Sequence, residues 1–271
     1  MENSRREAET AQLQVFQGRL AADGEAANWG LRFDRFLPVW EGVSGAPSGK
    51  RLKDYKEVLR QFVNAFNRAG AQSQALLEGR HRLLDLAGGQ HRDFKTDWRY
   101  VSGLGVSHPI ENGFTFDRAL GVPVIFGSSV KGLVRAAAHV SDATDGEIDR
   151  LLGPKDPRPG EAAAGGLVFL DAYPSRWPRL AIDIVNCHHP AYYDDLEARP
   201  DRADPVDWEN PNPVYFLSVD RGAVFRFRIV PRAGAAADLA IAWDWLKTGL
   251  DWLGIGAKTA AGYGQMRELA R

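Results

Sequence analysis

Cysteine is almost absent from this chain of 271 residues: Cys187 is the only one, so no internal disulfide can form. A lone thiol fits a reducing compartment, and the expected location is the cytoplasm. Long apolar runs are missing too. No stretch approaches the roughly 20 residues that a membrane-spanning helix needs, and Met1 to Gln17 is too polar for a secretory signal. Net charge is also lacking, since 34 Lys and Arg face 35 Asp and Glu for a formal −1. That balance argues against a free-standing nucleic-acid binder, which carries a strongly basic domain.

Three chemistries lack their motifs. A nucleotide-binding P-loop needs Gly directly before the Lys and another five residues earlier, where this chain has Ala257 before Lys258 and Trp252 further up. No G-x-S-x-G nucleophile element is present, and Cys187 has no context that marks a nucleophile. Cys187-His188-His189 holds three metal-ligating residue types, but neighbours on an extended chain point to opposite sides, and no second pair lies at zinc-finger spacing. No metal and no cofactor are expected.

What is present is an ordinary globular composition, 44% hydrophobic and 25% charged. Its charge is uneven. Asp194 to Glu209 carries seven acids against Arg199 and Arg202, whereas Arg221 to Ala237 carries Arg221, Arg226, Arg228 and Arg232 and no acid. Residues 1–25 lack a period and read as a loose segment, followed by a single domain over 26–271. Trp29 to Phe36 partly alternates and predicts a strand. Tyr55, Val58, Leu59, Phe62, Val63 and Phe66 recur at helical spacing, and a second helix is expected from about Ala71 to Leu86, ended by Gly88-Gly89. Together these are helices inserted at about 50–90.

Trp98 to Ser107 predicts a strand entering a glycine-containing loop. The apolar run Val122 to Phe126 leads into Gly127-Ser-Ser-Val-Lys-Gly132, with Ser128 or Ser129 as N-cap of a helix through Leu133, Val134 and Ala137. Ser141 to Ala164 reads mostly as loop. Strands are expected at Gly166–Asp171 and Leu180–Val185, then an insertion over 186–213. Val214–Val219, Asp220-Arg-Gly222 and Ala223–Val230 predict a hairpin, with Phe225, Phe227 and Ile229 on one face and Arg226 and Arg228 on the other. Asp238 begins a helix through Trp243, Leu246, Leu250 and Leu253, in which Trp245 and Trp252, seven apart, share a packed face. A glycine loop, Gly254 to Gly264, and a short strand complete the chain. The order of elements indicates an α+β fold of the ferredoxin-like (RRM-like) kind, with helical and loop insertions.

Two elements suit an anion. In the loop, Gly254, Gly256, Gly262 and Gly264 bracket Lys258 and Thr259, so backbone amides can turn toward phosphate beside a full positive charge. The same residues also read as a helix C-cap with a tight return. The helix start at Gly127 offers free amides, the helix dipole, two hydroxyls and Lys131, although capping preferences alone favour simple N-capping with a solvated lysine.

These two elements resemble the signatures of the RAMP superfamily. Within it, the chain is similar to the sixth-subunit family of the Cmr complexes, type III-B CRISPR effectors. The similarity is carried in order by Trp29-Gly-Leu-Arg-Phe-Asp-Arg-Phe36, Trp98 to Pro109, Glu111 to Phe116, Val168 to Pro174, Asp183 to Asn186, Asp207 to Pro211 and Trp252 to Gly264. Phe126 departs from the Pro that many members carry before the Gly-Ser-Ser element.

The resemblance implies a non-catalytic RNA-binding subunit in antiviral defence. It would cap the backbone filament toward the 3′ side of the guide RNA and contribute to target RNA capture. Its partners would be guide (CRISPR) RNA, target RNA, the repeated backbone RAMP subunit and the terminal RAMP subunit, with no membrane. The expected RNA-binding residues are Ser128, Ser129, Lys131 and Arg135 at the helix start, with Gly256, Lys258 and Thr259 in the loop. Arg226 and Arg228 are weaker candidates that can instead pair with acids of a neighbouring subunit. One rival is a RAMP endoribonuclease, processing guides through His108 or slicing targets through Asp34 or Asp117. A purely structural cap is another.

Overall fold

The structure, a computed structural model, describes residues 28–39, 55–155, 164–187 and 212–270. The loose segment 1–25, His188-His189 and most of the 186–213 insertion lie outside them.

The central sheet is built from β1 (Gln90–Thr96), β2 (Leu167–Phe169), β3 (Tyr173–Pro174), β6 (Val224–Pro231) and β7 (Met266–Glu268). Its order is β2-β6-β1-β7, with every pair antiparallel and β3 continuing the β2 edge along β6. Helix α4 (Gly127–Val140) follows β1, and α6 (Leu239–Thr248) follows β6. This is the β-α-β-β-α-β arrangement, with its first and third strands central. The fold is the expected α+β, ferredoxin-like one.

Helical insertions precede this frame. Helix α1 covers Trp29–Phe36, α2 Lys56–Arg68 and α3 Gly70–Asp85. The predicted strand at Trp29 is corrected to a helix. Asn28 caps it by accepting from the Leu31 N–H at 2.9 Å, while its amide donates to the Arg118 and Ala119 carbonyls. Trp29 and Phe33, one turn apart, are buried against Phe62, Phe66 and Phe116 with ring centroids 5.6 to 5.8 Å apart. A helix this short is marginal alone. Each such side chain contributes about 1.5–3 kcal/mol on burial, so packing decides its conformation.

Three further expectations change. The predicted hairpin is not paired as one: β5 (Asn212–Val219) pairs with β4 (Leu180–Cys187) in a separate ribbon, and β6 pairs with β1. At the turn, Thr96 takes the place the hairpin partner would hold, donating to the Ala223 carbonyl and accepting from the Gly222 N–H. Within Trp98 to Ser107 only Tyr100 bridges a strand, at Val219. The supposed loop at 141–164 contains α5 (Asp145–Leu152), started by a capping box between Thr144 and Glu147.

The register fixes the two faces of the sheet. Phe94, Arg92 and Gln90 lie opposite Phe225, Phe227 and Ile229, on the side where Trp243 of α6 donates to Gln90. Asp93 and His91 lie opposite Arg226 and Arg228 on the other side. The predicted separation of aromatic and arginine faces in β6 therefore holds. A π-helical turn at Gly249–Leu253 ends α6. Its extra residue rotates the face, so Trp245 is buried while Trp252 is 75% exposed, against the expectation that both pack together.

Candidate nucleic-acid interface

Helix α4 starts at Gly127, with Phe126 in the N-cap position and no side-chain cap from Ser128 or Ser129. The expected serine cap is replaced from outside the helix. Asp171, where the β2–β3 edge is interrupted, accepts from the Gly127 N–H at 2.7 Å. Both serine hydroxyls are thus left at the surface, and both residues are exposed. Lys131 is half-buried one turn on. Arg135 donates to the Gly153 carbonyl and lies 3.6 Å from Asp149, so its guanidinium ties α4 to the end of α5.

The glycine loop returns from α6 to β7 through positive-φ backbone at Gly254, Gly256, Lys258, Gly262 and Gly264. Glycine is required at Gly256, where a Cβ would strike the Val101 carbonyl, and at Gly264, where it would strike that of Ile255. Several loop amides serve the chain itself. Ala257 donates to Val101 at 2.8 Å, Gly264 to Arg99 at 2.8 Å, and Ile255 to Gly264 at 3.1 Å. Lys258, in the left-handed region, holds its ammonium 5.7 Å above the Phe216 ring. The following Tyr263 donates to Asp183, which also pairs with Arg99. Burial, helped by the Asp183 hydrogen bond and charge, pushes the Tyr263 phenol up to about 12.

The two elements meet. A cleft of about 380 Å³ is lined by Phe126 and Ser129 of the α4 start, Gly256 of the loop, and the Ser102–Val106 segment between them. Ser128, Lys131, Arg135, Lys258 and Thr259 do not line it, although Lys131 and Lys258 flank it in sequence on both sides. Two apolar side chains stand exposed at this cleft: Phe126 at 46% and Val106 at 60%. Sequence reasoning noted Phe126 only as a departure from proline. The signal that could have found it is an aromatic residue placed directly before the Gly-Ser-Ser helix start.

The arginines of β6 lie on the far side of the sheet. Arg226 donates twice to Asp93, at 2.7 and 2.8 Å. Burial pushes the Asp93 carboxyl up, but the hydrogen bonds and charge of Arg226 more than reverse this and hold it below the usual range. Arg228 is 2% exposed and donates to Asp85 at 2.8 Å and to His81 at 3.1 Å. Their acids come from this chain itself rather than from a neighbour.

The three residues of the nuclease rival are differently placed. His108 stacks on Phe33; one ring nitrogen meets the Phe33 carbonyl and the other accepts from the Ile110 N–H, so both are engaged and the ring is neutral. Burial lowers its pKa, against the raising influence of Phe33 and Asp34. Asp117 accepts from Tyr173 and from the Ala119 and Leu120 amides. Asp34 is an exposed residue beside His108, and partial desolvation of its carboxyl raises its pKa against the lowering influence of His108, Arg35 and Arg118. Among the described residues no group of His, Cys, Asp and Glu is placed to hold a metal ion, and no helix is long and apolar enough to cross a membrane.

The fold and the paired glycine-rich elements define a class. The sequence model of the RAMP superfamily matches residues 50–267, and the chain belongs to that superfamily. Its similarity extends to one curated relative, the CRISPR system Cmr subunit Cmr6 of Pyrococcus furiosus, 28% identical over 65% of this chain. That match covers 66% of the relative's length, just under two thirds. A chain in the cryo-EM structure of the type III-B Cmr-beta bound to cognate target RNA shares the fold. Its TM-score is 0.62, with 17% identity over 96% of this chain and 97% of that one. The crystal structure of Cmr6 from Pyrococcus furiosus is 24% identical over 67% of this chain and 98% of that one, with a TM-score of 0.43.

Proposed function

We propose that this chain is a non-catalytic, RNA-holding subunit of a type III-B CRISPR Cmr effector complex in the cytoplasm. In this reading it caps the backbone filament toward the 3′ side of the guide RNA and contributes to target RNA capture. Its neighbours are the repeated backbone RAMP subunit and a terminal RAMP subunit. The observation that carries the reading is the cleft in which the α4 start and the glycine loop meet. Ser129 at the positive end of the α4 dipole lines it, and Lys131 and Lys258 stand close in sequence to its lining residues on both walls. Phe126 offers a face to a base. Such groups grip backbone and stack without reading sequence, which RNA-guided effectors leave to base pairing.

Of the residues expected to bind RNA, Ser128, Ser129, Lys131, Gly256, Lys258 and Thr259 remain the proposed set. Arg135 is assigned to holding α5, and Arg226 and Arg228 to intrachain pairing. The near-neutral total charge follows if several subunits hold the RNA jointly.

The test is RNA crosslinking with mass spectrometry on the assembled complex, comparing wild type with Lys131→Ala plus Lys258→Ala. Guide-RNA crosslinks to this subunit should fall while target cleavage by the remaining complex chemistry persists. Unchanged crosslinks would mean that both elements only shape the fold. Asp34→Asn, His108→Ala and Asp117→Asn, assayed in the same complex, should leave cleavage intact; its loss in any of the three would favour the nuclease reading.

A further inference from the structure

The face of the sheet opposite α6 carries a second basic surface. A groove of about 630 Å³ runs between β1, the Ser175–Arg179 segment and the Asp220–Gly222 turn. Five cations and two acids line it, and both acids are engaged. Asp93 is held by Arg226, while Asp220 accepts from the Arg221 N–H and lies 4.0 Å from Arg99. The four remaining cations, Lys95, Arg176, Arg179 and Arg221, are exposed, and among the described residues none is ion-paired.

The backbone that presents them is fixed. Trp177 stacks on Phe66 at 4.6 Å and donates to its carbonyl, which anchors the segment between Arg176 and Arg179. Ser175 N–H donates to Val224, and the Arg179 carbonyl accepts from Asp220, so the segment is tied to both neighbouring elements. Four uncompensated charges held on rigid backbone along one groove match a polyanion strand; isolated solvated cations need no such anchoring.

We infer that this groove binds the phosphate backbone of a single-stranded RNA segment, as a second track on the face of the sheet away from the glycine-loop cleft. The inference rests on the RNA-holding reading but uses none of that cleft's residues. The contacts are charge on phosphate, so they carry no base preference.

The test titrates a single-stranded RNA oligonucleotide onto the full-length chain across a salt series. Wild type is compared with Lys95→Gln, Arg176→Gln, Arg179→Gln and Arg221→Gln combined. Each lost phosphate contact lowers the slope of log affinity against log salt by about 0.7 for single strands, so four should lower it by about 3. Between 50 and 200 mM salt the wild type would then lose about 50-fold more affinity than the variant. Replacing the three arginines by lysine should retain the wild-type slope, which separates charge from folding. An unchanged slope in the Gln variant overturns the inference. If Lys131→Ala plus Lys258→Ala abolishes binding at the same time, the RNA-holding function survives without the groove. An unchanged slope with loss of complex assembly also overturns it and assigns the groove to an acidic protein surface.

Discussion

Removing Asp85 should destabilise this protein more than removing the arginine it binds. Arg228 is 2% exposed, and its Nε donates to Asp85 while its second amino group reaches the His81 ring nitrogen and carbonyl. The third nitrogen is buried without a partner. Asp85→Ala therefore leaves a nearly buried guanidinium whose remaining partners are neutral. Breaking a buried pair costs about 3–5 kcal/mol, but the Asp85 side chain is 45% exposed, so water replaces part of it. We expect about 2 kcal/mol, or a melting temperature lower by about 4–8 °C for a chain of this size. Arg228→Met retains most of the volume and frees Asp85 to solvent; the His81 ring nitrogen and carbonyl lose a donor, a cost of about 1–3 kcal/mol that removal of the buried charge offsets to about 1 kcal/mol. Thermal melting of both variants checks this. If Arg228→Met melts as low as Asp85→Ala or lower, the pair stabilises the fold outright and the reasoning fails.

Acidification should weaken the fold in two stages. Burial lowers the pKa values of His81 and His108, the first further lowered by Arg228 and Arg226 and each partly offset by a carbonyl hydrogen bond. The folded chain thus holds fewer protons than the unfolded one, and stability present above about pH 6.5 is lost as pH falls below it. Asp85, Asp93 and Asp183, each held below its usual pKa by arginine or tyrosine hydrogen bonds that outweigh burial, add a second loss below about pH 4. Melting curves from pH 7.5 to 3 should show both steps, and His81→Gln should shrink the first; a flat profile between 7.5 and 5 would contradict it. Trp245→Ala should cost about 3–5 kcal/mol, whereas Trp252→Ala, at 75% exposure, should leave the melting temperature within a degree or two. Thr144→Ala removes the α5 capping box and should cost about 1 kcal/mol in denaturant titrations.

Much of this architecture was legible in the sequence because it is local. Helix α2 announced itself by Leu59, Phe62, Val63 and Phe66 at helical spacing, all of them buried. The β6 alternation gave both its faces, and the helix–loop–strand order at the C-terminus placed the glycine loop. What was not legible depends on distant partners. Strand β1, Gln90-His-Arg-Asp-Phe-Lys-Thr96, is polar and lacks a clear pattern, yet it sits between β6 and β7. Its side chains find polar partners across the sheet, with Asp93 on Arg226 and Arg92 on Glu268. Because β1 claims β6, β5 turns to β4, and no local signal distinguishes that from a hairpin. Helix α5 did carry a local signal, Thr144 three residues before Glu147, masked by the surrounding Gly, Pro and charged residues.

The candidate site divides in the same way. Its glycines and lysines follow from spacing, and the likeness to other RAMP proteins rests on whole motifs in order. The meeting of Ser129 with Gly256 in one cleft does not, since they are far apart in sequence and are joined by the Tyr100–Val106 segment packed between α4 and the loop. The fates of Arg135, Arg226 and Arg228 were equally hidden, because their acids lie on other elements.

The most direct test of the central claim is to map RNA crosslinks on the wild-type subunit within the assembled, guide-loaded complex. Crosslinked peptides containing Phe126 to Lys131 and Gly256 to Thr259, with guide nucleotides attached, are expected. If guide crosslinks form on neighbouring subunits but on neither of these peptides, the cleft does not hold the guide.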